Sequence, residues 1–225
     1  MIVSMMTVNV GRSAGNLLLC FSFFVRVSLF FVLEPPVQRD GMVVEHEERD
    51  LDLISFVIGS GVAVYSRVSD VGMFEVERHF AQGSIVGFAG VGGLVTMAGV
   101  YTQPNMSVFD MGEALAVVSS VDIVSGDFNA RHPAWSADPH DTVRYPTGVV
   151  LKRFIEDQGL VCCPVSGPTF CDVSVLDLTI CRVGSVCSHR YVDLASLEHQ
   201  AQLVRCDVHS PPNLVACGIS WKRVD

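Results

Sequence analysis

Several strand-length stretches of this chain are apolar almost from end to end, and this constrains the fold more than any other feature. "MIVSMMTVNV" (1–10), "VSLFFVLE" (27–34), "GVAVYSR" (61–67) and "SVLDLTIC" (174–181) do not alternate between apolar and polar residues. A strand with one wet face alternates with period two, whereas a strand covered on both faces reads as a continuous apolar run. Runs of this kind belong in sheets packed together, with helices on the outside. Further strands are expected in "SIVGFAGVGGLVTMAGVYTQP" (84–104), as two joined by a "GVGG" hairpin turn, in "VDIV" (121–124) and in "QAQLVRCDV" (200–208). That glycine cluster lacks the spacing of a phosphate cradle. Helices are expected from about Ser13, over 108–120 and over 147–160. In the last, Val150, Leu151, Phe154 and Ile155 form an apolar stripe that stops at Gly159. The charged run "EHEERDLD" (45–52) reads as a solvated loop. No repeat or linker interrupts the chain, so residues 1–225 are expected to form one α/β (α+β) domain.

Composition narrows the function classes. The net charge of −9 lacks the basic balance of a protein that captures nucleic acid by charge alone. It leaves room for an enzyme whose negative groups surround a metal, because the ion inverts the local field. The eight cysteines contain no CxxC pair, which weakens a zinc reading and favours reduced, buried thiols in an intracellular protein that is not secreted. The stretch Leu17 to Leu33 is apolar enough to suggest a membrane anchor, but Arg26 lies near its middle. A buried helix running into a buried strand is the favoured reading, with no stable membrane association.

The residues able to do chemistry stand at the ends of the apolar runs. Asn9 closes the first strand and Glu34 the second. Tyr101 precedes "TQP", Asp127 and Asn129 follow "VSG", Asp177 lies in "VLDLT", and Glu198 and His199 precede the last strand. Any one of them alone reads as a cap, a turn residue or a satisfied buried acid. Together they matter because strand ends in a packed α/β domain converge on one rim, where such folds place their sites.

In order, "VNVGRS", "FFVLEPPVQRDG", "GVAVYSR", "GVYTQP", "VSGDFNARHPAW", "GPTF", "VLDLTIC" and "SLEHQAQLV" resemble the endonuclease/exonuclease/phosphatase superfamily. The similarity is strongest to the endonuclease domain of non-LTR (LINE-type) retrotransposons. The closing "WKRVD" is similar to the start of the segment that leads, in such elements, toward a reverse transcriptase. The resemblance implies a DNase I-like four-layer sandwich of two packed mixed β-sheets flanked by helices. It further implies a divalent metal, Mg²⁺ or Mn²⁺, and hydrolysis of a DNA phosphodiester as a monomer, with access to nuclear DNA. A reverse transcriptase domain in a parent polyprotein is implied as well.

Carried over by position, the resemblance makes Glu34 the principal metal ligand, with Asn9 helping to hold that site; Glu198 falls where the family has an acid beside His199, as a further catalytic or metal-binding candidate. Asp127 would orient and deprotonate the attacking water, with Asn129 positioning Asp127 or the phosphate. Tyr101 would contact the scissile phosphate. His199, its ring fixed by Asp177, would donate to a non-bridging oxygen. Arg131, His132 and Trp135 would border the DNA groove, although a Trp135 packed beneath its loop is the favoured reading. The residue types suit the reaction: Mg²⁺ takes hard oxygen ligands and keeps several waters, so one or two carboxylates suffice. A base must reach the water, and a fixed donor must meet the charge that builds on the phosphate.

Three features depart from the family pattern: Glu198 stands where Asp is usual, Leu33 stands where Gln is common, and the segment "FFVRVSLFF" (23–31) is more apolar than the pattern leads one to expect. These departures keep open a catalytically decayed remnant or binding domain, and the acidic pI keeps open another phosphoesterase of the same fold.

Overall fold

The computed structural model describes residues 2–23, 27–37, 51–56, 61–67, 74–90, 93–136, 138, 140–165, 167–171, 174–182, 188–194 and 197–207. Arg26, most of the charged run 45–52 and the closing "WKRVD" lie outside the described residues.

The long apolar runs become two stacked sheets. One contains β1 (Ile2–Asn9), β2 (Leu29–Leu33), β3 (Leu51–Phe56), β4 (Val62–Arg67), β11 (Ser188–Val192) and β12 (Ala201–Asp207), in the order β11-β12-β1-β2-β4-β3. The other contains β5 (Phe74–Phe80), β6 (Gly83–Gly90), β7 (Gly93–Tyr101), β8 (Ile123–Asp127), β9 (Val161–Cys162) and β10 (Asp177–Cys181), in the order β5-β6-β7-β8-β10-β9. Three helices are described: α1 (Ala14–Phe23), α2 (Val108–Val117) and α3 (Pro146–Asp157).

The two sheets share one plan. Each is centred on a parallel pair, β1/β2 or β7/β8, joined by a crossover that contains a helix, α1 or α2. Each pair is flanked by antiparallel neighbours, β12 and β4 in one sheet and β10 and β6 in the other. Asn9 and Tyr101 therefore end equivalent strands. So do Leu33, just before Glu34, and Asp127. This repetition of plan is why the chemistry falls at strand ends.

Burial explains the lack of alternation. On β2, Leu29, Phe31 and Leu33 face the other sheet, while Phe30 and Val32 pack outward against Leu17, Cys20 and Phe21 of α1. The opposite outer face buries Ile85, Ala98 and Val124 under Met111, Leu115 and Leu151 of α2 and α3. Both faces of each sheet are thus covered, giving the expected four layers. The stretch from Leu17 resolves into a helix of 10 residues and a buried strand of 5 residues. No helix among the described residues is long and apolar enough to cross a membrane. Cys20, Cys163, Cys181 and Cys206 are buried.

The differences from the sequence reading are confined to strands that lie at or next to the sheet edges. Leu51 and Asp52, expected in a loop, begin β3 at one sheet edge. β5 at another edge exposes Glu75, Glu77, Arg78 and His79, and β9 and β11 complete the edges. Edge strands tolerate charge because only one side is hydrogen-bonded and the other is wet.

Candidate active site

The carboxyl ends of β1, β2, β7 and β8 and the entries to β10 and β12 meet on one rim. Asp127 and Asp177 are directly paired across β8 and β10, and both are almost fully buried. His199 precedes β12 in the facing sheet and is turned inward. Its Nδ1 lies 2.9 Å from Asp177 Oδ2 and 3.7 Å from Asp127 Oδ2. Asn9 Nδ2 donates to Asp127 Oδ2 and to Glu34 Oε2, each at 3.2 Å, while its Oδ1 accepts from the Gly11 amide at 2.9 Å. Asn9 therefore acts as a spacer between the two carboxylates, and its oxygen faces the backbone. Arg12 Nε lies 3.7 Å from Glu34 Oε1.

The backbone at the site is held in uncommon conformations. Glu34 and Asn129 have φ values of +45° and +44°, in the left-handed region that non-glycine residues seldom adopt. Glu34 is fixed there by Glu34 N–H donating to Gly61 O (2.8 Å) and Glu34 O accepting from Arg12 (2.7 Å). Asn129 is fixed by its own N–H to Asp127 Oδ1 (3.0 Å) and by Nδ2 donating to Thr102 O (2.7 Å). In the stretch "GDFN", Gly126 is required by packing, because a Cβ there would lie 1.9 Å from Val100 O. Phe128 turns into the core. Asp127 and Asn129 are thus delivered to one side of the chain.

Electrostatics follow from this burial. The Asp127 carboxyl is pushed up to about 7, first by burial and then by the charge of Asp177, against the pull of His199, the Asn129 amide and Asn9. Burial alone would depress His199. The hydrogen bond and charge of Asp177, with Asp127 and Glu34, raise it instead. Burial and the charge of the neighbouring Glu34 raise the Tyr101 phenol, so it stays protonated and able to donate. Thr169 Oγ1 accepts from the amides of Leu176 and Asp177, each at 3.0 Å, and Tyr191 donates to Asp177 O at 3.0 Å. Sequence reasoning singled out "GPTF" without seeing that its threonine holds the Asp177 strand end.

Two donor sets compete for a metal. Asp127, Asp177 and His199 have ligand atoms within 4.8 Å of one another. The His199–Asp177 contact is of hydrogen-bond length, however, and both acids are almost fully buried. Glu34 is the better fit for a hard ion. Its carboxylate is half-buried and opens on a cleft of about 740 Å³ lined also by Arg12, Gly61, Gln82, Tyr101 and Gln103, with room for the waters that Mg²⁺ keeps.

The remaining sequence candidates lie apart from this group. Glu198 is exposed, and its described contact is its carbonyl accepting from the Cys171 amide. Trp135 is buried, with Nε1 donating to Ala130 O at 3.1 Å, and His132 packs on it and accepts from the Ala134 amide. Arg131 pairs with Asp141 at 3.2 Å. These three shape the loop after Asn129.

Residues 95–202 match the family model described as endonuclease-reverse transcriptase. The matched region contains Tyr101, Asp127, Asn129, Asp177 and His199. No curated protein matches the chain by sequence. Among solved structures, the endonuclease domain of TRAS1, a telomere-specific non-LTR retrotransposon, is 19% identical with a TM-score of 0.72, over 92% of this chain and 99% of that one. An endonuclease/exonuclease/phosphatase family protein from Leptotrichia buccalis is 14% identical with a TM-score of 0.58, over 91% of this chain and 99% of that one. Beta toxin from Staphylococcus aureus, solved with bound magnesium ions, is 10% identical with a TM-score of 0.50, over 92% of this chain and 100% of that one. At these identities the likeness is one of fold, and the fold is the DNase I-like sandwich that the sequence resemblance implied.

Proposed function

We propose that this chain is a divalent-metal-dependent endonuclease that hydrolyses DNA phosphodiester bonds and nicks target DNA for retrotransposition. The observation that carries the reading is the convergence of Asn9, Glu34, Tyr101, Asp127, Asn129, Asp177 and His199 on one rim. Glu34 would hold Mg²⁺ or Mn²⁺, which supplies charge stabilisation to the phosphate and leaving oxygen when bound. Asp127, aligned by Asn9 and the Asn129 amide, takes the proton of the attacking water. A base poised near neutrality suits that task. His199 bonds Asp177 through Nδ1, which directs its other nitrogen to donate to a non-bridging oxygen as charge builds. Tyr101 presents a protonated hydroxyl to the phosphate. Asp177 positions His199 and fixes its tautomer.

The same reading takes residues 1–225 as one monomeric domain, acting on nuclear DNA, with a reverse transcriptase in the parent polyprotein. The matched family description supports that last element. The test is conversion of supercoiled plasmid to open circle in Mg²⁺, with Asp127→Ala beside wild type. Wild-type nicking that disappears in the variant and in EDTA is expected. Equal rates in the two proteins would remove the proposal.

One observation favours a second reading, a smaller phosphoester substrate. Among the described residues, the cleft beside Glu34 is lined by one cation, Arg12, against Glu34 and Asp110. Turnover of a small phosphodiester faster than DNA would support that reading.

A further inference from the structure

The reacting groups come from two different sheets. Asp127 and Asp177 end strands of one sheet, and His199 enters the other. Their spacing therefore depends on how the sheets are registered. Most of the intervening core is apolar: Met5, Val204 and Cys206 on one side face Ile123, Met97 and Cys181 on the other. Apolar contact is non-directional and sets register only loosely.

The layer directly beneath the charged residues is different. One step below the Asp127–Asp177 pair, Ser125 faces Thr179 in the strand register, and in the other sheet Thr7 faces Gln202. All four are buried. Gln202 crosses the gap: its Oε1 accepts from Thr179 Oγ1 at 2.8 Å, and its Nε2 lies 3.4 Å from Gly126 O, the carbonyl that precedes Asp127. Thr179 has one hydroxyl proton, committed to Gln202, so the 3.0 Å contact with Ser125 is donated by Ser125. A buried amide between packed sheets is costly unless bonded, and this one is bonded to β8 and β10 at once.

We infer that Gln202 is a positioning residue: it pins β12 against β8 and β10 and so fixes His199 relative to Asp127 and Asp177. The inference rests on the endonuclease reading for its catalytic consequence, but its geometric content does not. A hydrogen-bonded crosslink one layer below the site sets the 2.9 Å and 3.7 Å separations of His199 from the two acids. A misplacement of about 1 Å at a reacting group costs on the order of 10²-fold in rate.

The test compares Gln202→Met, which keeps volume and removes the bonds, with Thr179→Val, which removes the other end of the main bond, and with the double variant. Expected is a fall in kcat of roughly 10- to 100-fold in each single variant with KM nearly unchanged. The double variant should be no worse than the weaker single, because both act through one bond. In parallel, the side-chain NMR signal of the His199 Nδ1 proton should broaden or shift in both single variants while circular dichroism stays native. A His199 signal that is unchanged in folded Gln202→Met protein overturns the inference, as does additive loss that tracks loss of folded protein. If wild type does not nick DNA, the endonuclease reading fails, and the His199 signal alone decides the positioning role. Unfolding of Gln202→Met shifts the decision to Thr179→Val, which is judged by the same signal.

Discussion

Gly61→Ala tests how tightly the rim is assembled, because the glycine touches the site only through its neighbours. Gly61 has φ +69°, and a Cβ there would lie 2.6 Å from Cδ1 of the Tyr101 ring. A left-handed alanine costs about 1–2 kcal/mol. The alanine also restricts the unfolded chain, which offsets roughly 0.4–1 kcal/mol. Carbon contacts relax at about 3.5–4.0 Å, so the ring must retreat by roughly 1 Å. Gly61 O also accepts the Glu34 amide at 2.8 Å, so the shift reaches both Glu34 and Tyr101 on the wall of the cleft. The net loss is about 1–3 kcal/mol once ring displacement is included, which lowers Tm by roughly 2–10 °C for a chain of this size. Displacing the Tyr101 hydroxyl should slow nicking by on the order of 10²-fold. Differential scanning fluorimetry and plasmid nicking measure the two effects. Tyr101→Phe is the reference, and the double variant should nick no more slowly than the slower single. A Gly61→Ala protein with native Tm and a rate within threefold of wild type would refute this account of the rim.

Other perturbations follow from the same contacts. Asn9→Ala removes the spacer between Glu34 and Asp127, and the Mg²⁺ concentration for half-maximal nicking should rise about 10- to 100-fold; an unchanged midpoint would contradict the spacer role. Burial lowers the His189 imidazole to about 4, so the unfolded chain binds more protons between that value and its ordinary 6.5. The resulting stability is fully present above pH 6.5 and is lost as pH falls toward 4, on the order of 1–2 kcal/mol after discounting for partial exposure. Asp127, raised to about 7, acts in the opposite sense over the same window, so the informative quantity is the Tm difference between wild type and His189→Gln. That difference should shrink on acidification. Trp135→Phe loses the bond to Ala130 O and should cost roughly 1–3 kcal/mol with KM for DNA unchanged, whereas a raised KM would place the ring on the substrate.

Much of the site is legible in the sequence because the chain announces it twice. A strand buried on both faces cannot place a carboxylate or amide in its middle cheaply, so Asn9, Glu34, Asp127 and Asp177 mark strand ends by their residue type alone. The role of Asn9 is not legible, since only the geometry shows its nitrogen between the acids and its oxygen on Gly11. Gln202 escapes for a related reason: in "QAQLVRCDV" it reads as a polar position on an ordinary strand, and nothing local says that it is buried between sheets. The edge strands β3 and β5 escape because their charge mimics a loop. Glu198 carries the family position but is exposed beside an inward-turned His199, and one residue of difference in direction cannot be read from a motif.

The central claim is that one rim forms a metal-dependent hydrolytic site with the ion at Glu34 and the base at Asp127. Anomalous diffraction from crystals soaked in Mn²⁺ tests it most directly. The account predicts a peak at the Glu34 carboxylate that disappears in Glu34→Gln crystals. A peak centred among Asp127, Asp177 and His199, persisting in that variant, would contradict it.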